Sequence, residues 1–234
     1  MKFLESTNFF VRITIYDYIH ALASNKLKFR IIPMVHVGEE GFYKTIKEKI
    51  LECDEIIYEG IRRKKLIQKF NPRRDLCEKL DLMLQKDAFL LKGVNLKLTH
   101  GDYSEKESAE EWKKVRLFER LKDRILNPIE RYYFNTKMTR RKLAKYFGQS
   151  YEDYYLAYGP RFDEAGTTEN FYYARREQKV LDIILDRVLN ESKEDKIIGI
   201  LYGAGHMNRI SRNLIDVQGY RVSHGQFAKV FDVK

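Results

Sequence analysis

The sequence predicts an α/β fold: a central mixed, largely parallel sheet flanked by helices, with a helical insertion. Three observations carry that expectation. Residues 28 to 37 and 55 to 60 are short apolar and β-branched runs separated by an amphipathic stretch, the order of a strand–helix–strand unit. Residues 196 to 202 are a further apolar run, closed by Gly203-Ala204-Gly205 and followed by helical spacing. The long middle, residues 61 to 190, reads mostly as helix. The 234 residues fit one domain, 1–234, in which 61–168 form a helical insertion or cap.

In chain order, residues 8 to 16 are rich in aromatic and β-branched types and predict a strand, as do residues 28 to 37. After Gly38, Phe42, Ile46 and Ile50, with Tyr43 and Leu51 alongside, recur at helical spacing among Lys and Glu. The run Glu55-Ile56-Ile57-Tyr58-Glu59-Gly60 predicts the next strand. A crossover of this kind makes its two strands parallel and opens both carboxyl ends onto one edge of the sheet. Leu76, Leu80, Met83 and Leu84 predict one helix, and Trp112, Val115, Phe118 and Leu121 another. A long helix from about 169 to 190 carries Ala174, Leu181, Ile184, Leu185 and Val188 on one face. At 100° per residue Glu177 falls inside that stripe and Arg176 to one side of it. A carboxylate facing a core needs a partner, because an unpaired buried charge is costly. Residues 220 to 233 predict one or two closing strands.

Lysine and arginine total 44 against 34 acidic residues, a net charge of +10. The densest basic stretches are Arg62, Arg63, Lys64, Lys65, Lys69, Arg73 and Arg74, and then Lys137, Arg140, Arg141, Lys142 and Lys145. No RRM, zinc-finger or helix-turn-helix signature accompanies them, so they read as solvated helical faces rather than a nucleic acid surface. Cys53 and Cys77 lie in no metal or redox spacing and suit a reducing compartment. The N-terminal residues are too polar for a signal peptide, and no stretch approaches the roughly 20 apolar residues of a membrane span. The expectation is a cytoplasmic protein.

The candidate chemistry lies at strand ends. His36 ends the first strand of the crossover unit and Glu59 the second, which puts an imidazole and a carboxylate at the usual binding crevice of an open α/β sheet. Together they suit general-base chemistry or a metal such as Zn, Mn, Co or Fe; the plainer alternative is two strand-end residues bonded to loops. Glycines before His206 permit close approach of the backbone to a ligand, or simply a tight strand-to-helix connection with a histidine cap. His100-Gly101-Asp102 is expected to be an ordinary turn, with a polar loop reaching the crevice as the alternative.

Met34-Val35-His36-Val37-Gly38, followed by a helix and by Asp54-Glu55-Ile56-Ile57-Tyr58-Glu59-Gly60, resembles the opening of TraB/PrgY/GumN (Tiki-like) proteins. Gly203-Ala204-Gly205-His206-Met207, running on to Gly219-Tyr220-Arg221-Val222, is similar to that family's closing G-x-x-H segment, and Arg175-Arg176-Glu177 matches an arginine followed by a polar residue. The resemblance covers residues 28 to 60 and 170 to 222. It departs at Pro33, which stands where the family has glycine, and in lacking the membrane segment of several relatives. It implies the sheet fold shared with erythromycin esterases and ChaN-like haem-binding proteins. It also implies a hydrolase, a metal-dependent peptidase or an esterase, acting on a peptide or small molecule. Carried over, the catalytic roles fall on His36, Glu59, His206 and Arg176, with Glu177 in support, and a divalent metal would be held by His36, Glu59 and His206. The rival expectation is a non-catalytic protein capturing an anionic ligand such as haem or a peptide.

Overall fold

The computed structural model describes residues 1–60, 74–88, 90–156, 165–168 and 170–233. Among them a seven-stranded sheet carries the fold, with the path Leu4–Ser6 (β1), Phe10–His20 (β2), Lys28–Met34 (β3), Ile197–Gly203 (β8), Glu55–Tyr58 (β5) and Lys97–His100 (β7). Tyr220–Asp232 (β9) pairs with β2 along its whole length, so β1 and β3 share the opposite edge of β2. The two-residue strands Val37–Gly38 (β4) and Met83–Leu84 (β6) form a separate small ladder.

The sheet is mixed in two blocks. Strands β1, β2 and β9 are antiparallel, whereas β3, β8, β5 and β7 are mutually parallel. β3, β8 and β5 are mostly buried and apolar, as expected where both faces are covered, whereas the edge strand β7 is exposed or half-buried. The helix Glu40–Leu51 (α1) makes the expected crossover, with Phe42, Tyr43, Ile46 and Ile50 buried and Leu51 turned to solvent. Its two strands are parallel but not adjacent, because β8 is inserted between them.

The middle of the chain departs in part from the mostly helical expectation. The helix Arg74–Lys79 (α2) stops before Asp81, whose φ of 51° takes it out of helical geometry, so Met83 and Leu84 form β6 instead. Glu105–Lys113 (α3) is started by a Ser104–Glu107 capping box, and extended backbone at Arg116 separates it from Leu117–Lys137 (α4). Residues 97–100 are a strand of the main sheet, so the 61–168 segment contributes to the core as well as capping it. Arg140, at the start of Arg140–Leu156 (α5), donates to Leu80 O, Asp81 O, Asp232 O and Glu39 and so ties this segment to the sheet. Of the first basic stretch only Arg74 lies among the described residues, and it pairs with Asp87.

A π-helical turn, Asn170–Ala174, leads into Arg175–Glu191 (α6). Because α6 ends where β8 begins, at the amino end of the parallel strands, its first turn sits at their carboxyl end; its 17 residues span about 25 Å. A short 3-10 turn, Ala204–His206, then Met207–Arg212 (α7) and a second π turn follow β8. Pro33 is buried in β3, two residues beyond the last β2 pairing at Tyr16↔Ile31, where a missing N–H is best tolerated. Among the described residues no helix is long and apolar enough to cross a membrane.

Candidate functional site

Four parallel strands deliver four polar side chains to one rim. Past the carboxyl ends of β3, β8, β5 and β7 stand His36, His206, Glu59 and Asp102, and the order of the strands is the order of the residues across the edge. The first turn of α6 adds Arg176 and Glu177 from above.

Arg176 is the hub. Its Nε and Nη2 donate to the two oxygens of Asp102 at 3.0 and 2.6 Å, and Nη2 also donates to Glu59 Oε1 at 2.5 Å. Nη1 donates to Tyr172 O at 3.3 Å. A fork of this geometry satisfies two carboxylates that would otherwise be costly to bury. Asp102 reaches it because Gly101 lets the loop after β7 lie against the sheet: a Cβ at Gly101 would stand 2.8 Å from Ile57 Cγ2. The Tyr202 hydroxyl donates to Gly101 O at 2.6 Å and holds that loop down. The segment 100–102 is thus part of the rim rather than an ordinary turn. Asp102 was not among the expected catalytic residues, and its signal in the sequence was the apolar run and glycine just before it.

Glu59 is the most strongly perturbed carboxylate here. Burial opposes its ionisation, but Arg176, His206, the Gly203 N–H and His36 together hold its pKa down at about 2. Its side chain is 22% exposed, so it remains open to the rim. Gly203 N donates to Glu59 Oε2 at 2.6 Å, and a Cβ at Gly203 would press on that same oxygen at 3.1 Å. The glycine is there so that the backbone can approach the carboxylate.

His206 is buried, and its Nδ1 donates to Glu177 Oε1 at 3.0 Å. Its Nε2 is then left to face Glu59 Oε1 at 3.8 Å. Tyr173 lies tilted against the imidazole and Tyr202 meets it edge-on, which fixes the ring plane. Glu177, expected inside the apolar stripe, is 1% exposed, and its second oxygen makes no hydrogen bond among the described residues, with Arg209 Nη1 at 3.6 Å.

His36 stands apart. It is exposed, its Nδ1 donates to Gln85 Oε1 at 3.1 Å, and Gln85 N donates back to His36 O at 2.9 Å. The expected metal set of His36, Glu59 and His206 does not converge: among the described residues no three His, Cys, Asp or Glu side chains are grouped to hold a metal ion. Both Glu59 oxygens are already engaged, and a cation placed on them would lie beside the Arg176 guanidinium. The donor set as arranged does not fit a divalent ion. Arg176 is itself buried, and its described hydrogen bonds all run to Asp102, Glu59 and Tyr172 O.

A cleft of about 410 Å³ between α3 and the turn before α6 is lined by Glu111, Arg116, Asn170, Phe171 and Arg175, and none of the rim residues lines it. Comparison with protein-family models, with curated proteins and with solved structures gives no significant match.

Proposed function

We propose that this chain is a hydrolase of carboxylic esters in which His206 is the general base, and that its resemblance to TraB/PrgY/GumN proteins reflects kinship. The observation that carries the reading is the buried Glu177–His206 pair at the carboxyl edge of a parallel sheet, which sets the tautomer and aims Nε2 at the rim.

In this reading a water held at the rim beside His206 Nε2 loses its proton to Nε2 as its oxygen adds to the substrate carbonyl. The carbon–oxygen bond to the alcohol then breaks, and the imidazolium returns the proton to the leaving oxygen. Glu177 and Glu59 flank the imidazolium with negative charge and stabilise it. Arg176 is a positioning residue that fixes Glu59 and Asp102. His36, exposed on the same rim, is placed to meet the substrate's polar end. No step is routed through a metal.

The test is turnover of p-nitrophenyl acetate and butyrate by the purified chain. His206→Gln is expected to lower kcat/KM at least about 100-fold, and Glu177→Gln to lower kcat by a similar factor, each with a cooperative melt retained. Wild-type rates in both variants end the proposal. So does an inactive wild type that retains added haem with a Soret band, which assigns the rim to ligand carriage instead.

A further inference from the structure

The helix α4 is mounted with its polar side inward. Thr168 Oγ1 donates to Glu119 and the Tyr172 hydroxyl to Asp123, each at 3.4 Å, and Asn127 is buried; these three residues form one line at i, i+4 and i+8 and face the body. The other half of the helix carries Leu117, Phe118, Leu121, Ile125, Ile129 and Tyr132, all exposed, with Phe118 at 74%, Tyr132 at 71% and Ile125 at 61%. At 100° per residue these six fall within about a third of a turn, an apolar face over residues 117–132 of α4. Packing alone does not produce this arrangement: the amide atoms of Asn127 are buried with no hydrogen-bond partner among the described residues, while large apolar side chains are left in water.

The borders of that face are cationic. On the helical wheel Arg124 bounds one side, and on the other Lys122 stands among Tyr133 and Leu126; both cations are exposed. Lys142 Nζ of α5 lies 5.9 Å over the ring of Tyr133, which extends the apolar face, and Arg141 and Lys145 are exposed on the same helix. The acidic residues Glu119 and Asp123 point the opposite way, into the body. An apolar stripe bordered by lysine and arginine is the pattern of a helix that lies in the plane of an anionic lipid surface, apolar side down and cations among the headgroups. A second copy of the chain would set these cationic borders against each other.

We infer that α4, with the start of α5, is a peripheral membrane-binding surface for anionic lipid. It is independent of the strand-end site and of the hydrolase reading. The second basic stretch then divides in two: Arg140 is an internal tie, and Arg141, Lys142 and Lys145 serve the surface.

The full chain is tested by co-sedimentation with vesicles of phosphatidylcholine alone and of phosphatidylcholine mixed with phosphatidylglycerol. Binding to the mixed vesicles only, weakened by salt, is expected. The double variants Phe118→Glu with Ile125→Glu, and Arg141→Glu with Lys142→Glu, should each bind about tenfold or more weakly, with unchanged circular dichroism. Failure of the wild type to bind the anionic vesicles overturns the inference. So does undiminished binding by both variants, and so does a wild-type dimer, lost in the first variant, with no vesicle binding.

Discussion

Strand β5 and helix α6 meet twice through an arginine–glutamate pair, and the two meetings are chemically different. At the amino end of the parallel strands Glu55 accepts from Arg187, Lys196 and Thr99 and pairs with Lys97. At the carboxyl end Glu59 accepts from Arg176 and the Gly203 N–H, beside Asp102 and His206. Four residues of strand rise about 13 Å and eleven of helix about 16 Å, so one strand and one helix hold both pairs in register. Both glutamates have pKa values held at about 2, in each case against burial, by their cationic partners.

Burial and a depressed pKa therefore do not mark a site by themselves. At the Glu55 end three cations face Glu55 and Glu191, and each charge is answered. At the Glu59 end three carboxylates gather around one buried arginine and one imidazole, and the imidazole keeps a ring nitrogen turned to the rim. The first is a lock on the fold. The second leaves an imidazole nitrogen facing the rim.

The largest effect that distinguishes the two ends should come from the arginines. Arg176→Met leaves Asp102 and Glu59 buried together without their counter-charge and is expected to cost about 3–5 kcal/mol, whereas Arg187→Met leaves Lys97 and Lys196 on Glu55 and should cost about 1–2 kcal/mol. Urea denaturation of the two variants measures this, and equal losses would erase the contrast.

Next in size is the response to acid. A glutamate with an ordinary pKa of 4.5 when unfolded and about 2 when folded contributes stability that is complete above pH 4.5 and fades as pH falls towards 2. Each contribution is on the order of 3 kcal/mol. Urea melts across that window should show a steep loss in the wild type, flattened by Glu55→Gln and by Glu59→Gln alike. Only Glu59→Gln should also impair ester turnover, which separates the lock from the rim.

The smallest effect is expected at Gly203→Ala. Its Cβ would crowd Glu59 Oε2 at 3.1 Å, shifting the carboxylate by a few tenths of an ångström. A loss of about 1 kcal/mol with a clear fall in kcat is expected. The same change at Gly41, whose Cβ would meet nothing within 4 Å, is the control and should leave kcat unchanged.

The sequence by itself determined the crossover unit, its strand-end positions and α6, but not the strands at 83–84 and 97–100 or the break between α3 and α4. Two apolar runs around an amphipathic stretch read as a crossover unit, which put His36 and Glu59 at the ends of parallel strands, and the spacing of α6 turned Glu177 inward before any partner was known. Periodicity and glycine placement are local properties and read directly. Tertiary structure alone decided that β8 lies between β3 and β5, that Asp102 past the end of β7 joins Arg176, that Glu59 accepts from Arg176 and Gly203, and that α4 turns its apolar side outward. The reason is that strand order and charge pairing join residues more than a hundred positions apart, such as Glu59 with Arg176 and Gly203, whose meeting depends on how the sheet is assembled and is written in no local pattern.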